Sequence, residues 1–160
     1  MRSCEYRLKT RLGNFLAAFE GGRLTALRLP GSWRRAGKPP LLAGQEGAAG
    51  RKLVRELERF LAGKRVSFTV PLAPGGTAFQ RRVWAAMRRI RWGRIASYGE
   101  LARMAGAPRS ARAAGRACGA NPIVILNPCH RVVAASGLGG FGAGPGWKRR
   151  LLGLEGRRRR

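Results

Sequence analysis

A stretch rich in proline and glycine is the strongest candidate for a domain boundary in the chain. The run Pro71-Leu72-Ala73-Pro74-Gly75-Gly76 holds two prolines and two glycines in six residues, a composition that interrupts both helices and strands. Such a composition is typical of the segment between two domains. We therefore predict an α+β fold with one domain at residues 1–74, a second at 75–156 and a basic tail at 157–160.

The first domain is predicted to be a small N-terminal antiparallel sheet with a covering helix. Residues 3–30 contain short alternating runs separated by glycine-containing turns, which is the pattern of β-hairpins. Residues 31–50 carry several Pro and Gly and predict a loop. Apolar residues on one face predict a helix over 51–61. The run 66–70 predicts a further strand, which Pro71 ends.

The second domain is predicted to be mostly helical and winged helix-turn-helix-like. Thr77 is a suitable N-cap for a helix that Gly93 ends, and Ser97 is a suitable cap for a short helix over 99–105. A turn and a third helix over 110–120, built largely of Ala, Gly and Arg, follow. Two helices joined by a tight turn are typical of DNA-binding proteins, although many helical hairpins share the spacing.

The net charge indicates a polyanionic partner. The chain has 33 basic residues against seven glutamates and no aspartate, for a formal charge of +26. Such a charge attracts nucleic acid, although a compositional bias toward Arg, Ala and Gly also contributes. Because no apolar run approaches the roughly 18 residues of a membrane span and the first residues lack a secretory signal, we expect a cytoplasmic protein without a membrane partner.

One cysteine stands beside the single histidine of the chain. Cys129 and His130 follow the apolar run 123–126, which predicts a strand that ends at the pair. Taken separately, a buried cysteine is usually a small apolar residue and a lone histidine a structural one. An adjacent imidazole can, however, convert a thiol into a nucleophile. The three cysteines are irregularly spaced, so we expect neither a metal site nor a disulfide framework, and no cofactor.

Four motifs together resemble the O6-alkylguanine-DNA alkyltransferase family. These motifs are Ser97-Tyr98-Gly99-Glu100-Leu101-Ala102, Asn121-Pro122, Pro128-Cys129-His130-Arg131-Val132-Val133 and Lys148-Arg149-Arg150-Leu151-Leu152-Gly153-Leu154-Glu155. The resemblance is dense from about residue 79 to 156 and weak over the first 70 residues. It implies direct-reversal DNA repair, in which a monomer moves an alkyl group from O6 of guanine in double-stranded DNA to Cys129, once and irreversibly. Transfer from O4 of thymine is left open.

The resemblance also implies a role for each catalytic residue. Cys129 is the nucleophile, and His130 takes its proton through a water molecule. Glu155 orients the imidazole, and it is the only acid after Glu100. Tyr98 donates a hydrogen bond to the departing guanine. Asn121 braces the turn that holds the active-site segment, which is compatible with its capping the preceding helix.

DNA contacts and a base pocket are implied in the same way. Arg112 enters the gap that the flipped base leaves, from the minor groove. Arg109 and Arg116 are expected on phosphates, although solvated helix charges explain them equally well, and Ser97 is assigned to the same DNA surface. The expected base pocket is formed by Tyr98, Val132, Phe141 and Gly142. Many relatives have tyrosine at position 141, and the glycines of the loop 136–144 leave room for a substituent larger than methyl.

Two other functions compete with alkyl transfer. A non-reactive sensor of alkylated DNA with the same fold would lack the cysteine, which is present here as Cys129. A plain basic helix-turn-helix DNA-binding protein would leave Cys129, His130 and Glu155 without a function. Both alternatives predict binding to DNA without transfer of an alkyl group.

Overall fold

The computed structural model describes residues 4–33 and 47–156. The chain divides into two compact units, Met1–Pro74 and Gly75–Arg160. Most of the predicted loop over 31–50 and the predicted basic tail over 157–160 lie outside the described residues. Among the helices described, none is both long and apolar enough to cross a bilayer.

The first unit contains the predicted antiparallel sheet. Its strands β1 (Cys4–Thr10), β2 (Gly13–Glu20) and β3 (Arg23–Arg28) pair in the order β1-β2-β3. The hairpin between β2 and β3 turns through two residues, Gly21 and Gly22, which both have positive φ. That conformation matches the twist of the two strands and strongly favours glycine. The sequence prediction of a small antiparallel sheet is therefore confirmed.

Helix α1 packs against the sheet, but the strand predicted after it is wrong. The helix spans Gly47–Leu61 and contacts β1, so it begins four residues before the predicted start. Residues 66–70 form no strand. The backbone amide of Thr69 donates to the Glu56 carboxylate of α1 at 3.2 Å instead of to a neighbouring strand. Sheet-like pairing is limited to a single bridge between Leu24 and Leu72.

Helix α2 (Ala78–Met87) opens the second unit at the predicted cap. The Thr77 hydroxyl accepts a hydrogen bond from the Gln80 amide, and the Gln80 side chain accepts one from the Thr77 amide. The helix ends at Met87, however, and the predicted end at Gly93 is wrong. Gly93 instead lies in a turn with φ +72°, where its amide donates to the Glu155 carboxylate at 3.2 Å. Residues 88–92 thus form a non-helical connection after α2.

Replacing Thr77 by alanine is expected to destabilise the second unit. The substitution removes one half of a reciprocal cap, which typically contributes about 1 kcal/mol. Urea denaturation followed by circular dichroism measures the change. Ser110→Ala is the matched control, because Ser110 occupies the N-cap of α4 without a side-chain cap hydrogen bond. An equal loss of stability in both variants would contradict the prediction.

The helix-turn-helix consists of α3 (Tyr98–Met104) and α4 (Ala111–Gly119). Ser97 caps α3 through a capping box with Glu100, as expected for a cap at that position. On α4, the small side chains of Ala114 and Ala117 are buried against α2 and α3. Their size serves this internal packing, because α2 approaches closely enough for the Trp84 indole to donate to the Ala117 carbonyl at 2.8 Å.

The apolar run 123–126 is a tight turn, and the strand predicted there is wrong. Ile125 adopts φ +72°, and Val124 forms an isolated bridge with Asn127 three residues later. A positive φ is costly for a β-branched residue and persists only where its surroundings hold it. The chain then enters a 3-10 turn at Cys129–Arg131 and strand β5 (Val132–Val133), which pairs in parallel with β4 (Ala96–Ser97). Helix α5 (Pro145–Leu154) closes the unit.

Candidate active site

Cys129 lies at the start of the 3-10 turn and is 8% exposed. Its sulfur accepts a hydrogen bond from the Asn121 side-chain amide at 3.2 Å. Burial raises the pKa of the Cys129 thiol, while the Asn121 hydrogen bond and the Lys148 ammonium act in the opposite direction. Because burial is the larger effect, the thiol is neutral at pH 7 and needs a base before it can attack.

The Asn121 side chain stabilises the turn that precedes Cys129 through hydrogen bonds to its backbone. Besides its contact with the sulfur, the amide nitrogen donates to the Asn127 carbonyl at 2.8 Å. The amide oxygen accepts from the backbone amide of Ile123 at 3.1 Å. These bonds span the strained turn at Ile125, so they account for its persistence. Asn121 lies in the turn and does not cap the preceding helix, because the C-cap of α4 is Ala120.

The imidazole of His130 and the carboxylate of Glu155 form a buried pair. His130 Nε2 lies 2.8 Å from Glu155 Oε1, and both side chains are inaccessible to solvent. Burial lowers the pKa of His130, which keeps the imidazole neutral at pH 7. A carboxylate can only accept at this contact, so Nε2 carries the proton and Nδ1 is the basic nitrogen. The pair therefore selects the tautomer.

Arg131 completes this cluster, although the sequence analysis gave it no role. Its guanidinium contacts the Glu155 carboxylate at 2.9 to 3.1 Å and the Ile90 carbonyl at 2.6 Å. Burial by itself would raise the pKa of Glu155, but the hydrogen bonds from His130 and Arg131 outweigh it and lower the pKa to about 2. Glu155 is therefore ionised at neutral pH. The sequence feature that could have indicated a role for Arg131 is its position in the Pro-Cys-His-Arg motif.

Tyr98, the first residue of α3, stands at the mouth of the site. Gly139 leaves room for its hydroxyl, because a Cβ there would lie 3.2 Å from the oxygen, whereas a Cβ on Gly115 would be in ordinary van der Waals contact with the ring at 3.6 Å. Gly139 also has φ +73°, so a larger residue there would be strained as well as crowded. Burial raises the pKa of Tyr98, which keeps the phenol protonated and able to donate.

A small cavity joins Tyr98 to Cys129. Its volume is about 180 Å³, below the range of about 300–1,000 Å³ for pockets that hold drug-sized ligands. Its lining comprises Tyr98, Gly115, Cys118, Gly119, Cys129, Gly140, Phe141 and Gly142. Three of the four residues predicted for a base pocket lie along this wall.

Val132, the fourth predicted pocket residue, is placed elsewhere. It is 1% exposed and belongs to the hydrophobic core, not to the cavity wall. Its pairing with Ala96 across β4 and β5 fixes it there. The wall is formed instead by the small residues of α4, Gly115, Cys118 and Gly119. Their contribution depends on how α4 packs, which the motif does not encode.

Lys148 is a second residue that the sequence analysis left without a role. Its side chain is fully buried, and its ammonium donates to the Gly140 carbonyl at 3.0 Å. It thereby connects α5 to the loop that carries Phe141 and Gly142. Lysine is almost never fully buried without a partner, so a search for buried residues by apolar pattern does not find Lys148.

The cavity also contains a second thiol, Cys118. Burial raises the pKa of Cys118 to about 12.

The residues predicted to contact DNA are at the surface of the helix-turn-helix. Arg109, Arg112 and Arg116 are all exposed. Arg112 and Arg116 are four residues apart on α4 and therefore share a face of the helix. The Ser97 hydroxyl accepts a hydrogen bond from the Glu100 amide at 3.2 Å and thus acts as the helix cap. Within residues 4–33 and 47–156, no three His, Cys or Glu side chains are grouped so as to hold a metal ion.

The chain is similar in sequence to known methylated-DNA–protein-cysteine methyltransferases. A family model described as the DNA-binding domain of 6-O-methylguanine DNA methyltransferase matches residues 78–157. A methylated-DNA–protein-cysteine methyltransferase of Methanosarcina acetivorans is 48% identical over 107 residues, which cover 66% of this chain and 69% of the relative. One of Mycobacterium leprae is 41% identical over 145 residues, 90% of this chain and 87% of the relative.

Solved structures extend the likeness to nearly the whole chain. The Mycobacterium tuberculosis OGT protein in complex with DNA is 42% identical, with a TM-score of 0.81 over 94% of this chain and 91% of that one. The O6-methylguanine methyltransferase structure from the same organism gives 40% identity and a TM-score of 0.82 over 96% and 93%. The fold class is therefore α+β, as predicted. On the sequence match and on these relatives, the chain belongs to the methylated-DNA–protein-cysteine methyltransferase family.

Proposed function

We propose that this protein repairs alkylated DNA by moving the methyl group of O6-methylguanine onto the sulfur of Cys129. The observation that carries the proposal is a buried thiol that lines a cavity of about 180 Å³ and is adjacent in the chain to a buried imidazole–carboxylate pair. The unit Gly75–Arg160 holds these groups and the helix-turn-helix, so we assign it both the transfer reaction and DNA binding. The relatives named above carry this activity in their names.

The proton of the thiol has a defined destination. Because Glu155 holds the proton of His130 on Nε2, Nδ1 is the nitrogen that accepts the Cys129 proton, through a bridging water between these neighbouring residues. The carboxylate then stabilises the imidazolium that forms. This is the logic of a nucleophile–histidine–acid triad with one water inserted.

Displacement at the methyl carbon forms one bond and breaks another. The Cys129 thiolate attacks in line with the carbon–oxygen bond, and the electron pair of that bond passes to O6 and the guanine ring. The Tyr98 phenol, protonated because burial raises its pKa, donates a hydrogen bond to the ring as the negative charge develops. The ring then gains the proton that the thiol lost, so the products are guanine and S-methylcysteine.

The base must leave the duplex to reach the cavity. Extruding one base costs a few kcal/mol and brings its reactive edge to a buried group. We propose that exposed Arg112 on α4 fills the gap from the minor groove, with Arg109, Arg116 and the N-terminus of α3 at Ser97 on the sugar–phosphate backbone. Contacts of this kind read little sequence. Weak sequence preference suits a repair protein, which must act wherever in the DNA a lesion lies.

The reaction is stoichiometric and suits a reducing compartment. A thioether is stable, and the site offers no group that would hydrolyse it, so each molecule reacts once. A nucleophilic thiol is preserved where disulfides are rare. We therefore place the protein in the cytoplasm.

Incubation with a duplex carrying radiolabelled O6-methylguanine tests the proposal. We expect one label per protein molecule, recovered by peptide mapping as S-methylcysteine at position 129, and unmodified guanine in the DNA. A non-reactive sensor would bind the same duplex with the label remaining in the DNA. That result would overturn the proposed reaction.

A further inference from the structure

A chain of hydrogen bonds connects Arg88, just after α2, to the nucleophilic sulfur. The Arg88 guanidinium donates to the side-chain oxygen of Asn127 at 2.7 Å. The Asn127 side-chain nitrogen donates to the side-chain oxygen of Asn121 at 3.2 Å. The Asn121 nitrogen in turn donates to Cys129 Sγ at 3.2 Å. Three side chains thus stand in series behind the reacting atom.

The direction of every bond in this chain follows from its charged end. A guanidinium has only donors, so the Asn127 group facing Arg88 must be its oxygen. The nitrogen of Asn127 then faces Asn121 and requires an oxygen there. This leaves the nitrogen of Asn121 to point at the sulfur. Reversing either amide would place two donors or two acceptors against each other.

The chain contains groups that would be expensive to leave without partners. Asn127 is fully buried, and a buried amide without hydrogen bonds costs about 1–3 kcal/mol. The backbone groups of Ile123 and Asn127 also favour the observed orientation of Asn121. Arg88 and the Asn127 side chain add a charge-assisted hydrogen bond at the end of the chain that is farthest from the sulfur. A charged donor polarises the bonds that follow it.

We propose that Arg88 and Asn127 are positioning residues, which hold the Asn121 amide with its nitrogen on the sulfur and strengthen that bond when the thiol becomes a thiolate. The inference rests on the proposed function only for its effect on the rate of transfer. Its effect on the thiol exists in the protein alone. Neither residue touches the substrate cavity.

Other groups also act on the sulfur and are kept unchanged in the test. Lys148 of α5, Cys118 of α4, Tyr98 of α3 and the neighbouring His130 all interact with Cys129 or border it. A change that is specific to the hydrogen-bond chain must therefore be seen in variants that leave these four side chains in place. Arg88 and Asn127 offer two such positions.

The test compares Arg88→Met, Arg88→Lys and Asn127→Leu with the wild type. The pKa of Cys129 is measured without DNA from the ¹³Cβ chemical shift, assigned with a Cys129→Ser variant, and the rate of methyl transfer is measured against pH. We expect Arg88→Met and Asn127→Leu to raise the pKa by about half a pH unit, which lowers the thiolate fraction about threefold. The transfer rate falls equally at neutral pH and recovers at alkaline pH. The thiol pKa and the transfer rate of Arg88→Lys should lie between those of Arg88→Met and the wild type.

Two further variants separate a hydrogen-bond chain from a simple effect of charge. Arg82→Met removes an equal charge from an exposed position of α2 that lies over the Phe79 ring, and it should leave the thiol pKa unchanged. Arg88→Met combined with Asn127→Leu should shift the pKa no further than Asn127→Leu alone, because both interrupt one chain. Additive shifts, or a shift in Arg88→Met with none in Asn127→Leu, identify a through-space charge effect and overturn the proposal.

The remaining outcomes are also decisive. Wild-type pKa values in both single variants overturn the proposal outright. If Asn127→Leu does not fold, Asn127→Ala, which also interrupts the chain between Arg88 and Asn121, takes its place in the same comparisons. If the wild type transfers no methyl group, the proposed function fails, whereas the thiol titration still decides whether Arg88 and Asn127 position Asn121.

Discussion

Cys129→Ala is expected to bind a duplex that contains O6-methylguanine and to transfer no methyl group. The sulfur is the atom that forms the new bond, and loss of a covalent nucleophile lowers rates by about 10⁶-fold. Binding should persist within about threefold in Kd, a change below 1.4 kcal/mol, because Cys129 is 8% exposed and the basic helix-turn-helix is intact. Gel-shift titration and label transfer on the same duplex measure both quantities.

Cys118→Ala is the matched comparison, since Cys118 is the second thiol along the same cavity. Burial raises the pKa of both thiols, to about 12 for Cys118, but the single histidine of the chain is adjacent to Cys129 and not to Cys118, so Cys118 stays a neutral, poor nucleophile. We expect Cys118→Ala to retain transfer of one methyl group per molecule. Transfer by Cys129→Ala, or its loss in Cys118→Ala alone, would mean that the wrong cysteine has been assigned.

The elements that the sequence predicted well are those whose signals are local. The hairpins of the first unit depend on alternating residues and on paired glycines such as Gly21 and Gly22. The starts of α2 and α3 depend on Thr77 and Ser97 and the side chains three residues later. The wrong strand at residues 66–70 had the right composition, but its backbone amide at Thr69 bonds to a glutamate of α1. Such a partner is set by tertiary packing and leaves no periodic trace.

The site shows the same division between local and long-range information. Cys129, His130 and Asn121 stand within nine residues of one another, and a motif can carry them together. Lys148 and Arg88 reach the site from other helices, and an isolated basic residue in a chain with 33 of them gives no indication that it is a partner of a buried group. The cavity wall depends on the packing of α4, which places small residues beside Tyr98. These contributions become visible only in three dimensions.

Glu155→Gln is expected to slow methyl transfer by about 100-fold or more, the range for loss of general base catalysis. The amide can still accept from His130 Nε2, but it carries no charge to stabilise the imidazolium. It also leaves Arg131, whose side chain is 12% exposed, beside a neutral group. Breaking a buried pair in this way should lower the free energy of unfolding by about 3 kcal/mol. Single-turnover transfer and urea denaturation measure the two effects.

The loss of stability in Glu155→Gln should depend on pH in one direction. The pKa of Glu155 is about 2 in the folded protein against an ordinary value of 4.5, so the ionised form stabilises the fold. This stabilisation is fully present above about pH 4.5 and is lost as the pH falls toward 2. The part of the stability difference between wild type and Glu155→Gln that comes from the carboxylate charge should therefore shrink as the pH falls from 4.5 toward 2.

Glu58→Gln provides the comparison that separates burial from charge. Glu58 pairs with Arg11 at 2.8 Å, a distance close to that between Glu155 and Arg131, but the two side chains are 31% and 52% exposed. Exposed pairs of this kind contribute about 0–1 kcal/mol, so the same substitution should change stability little and leave transfer unaffected. If the two variants lost equal stability, burial would not be the source of the Glu155 contribution. If Glu155→Gln kept the wild-type transfer rate, the carboxylate would not act through His130.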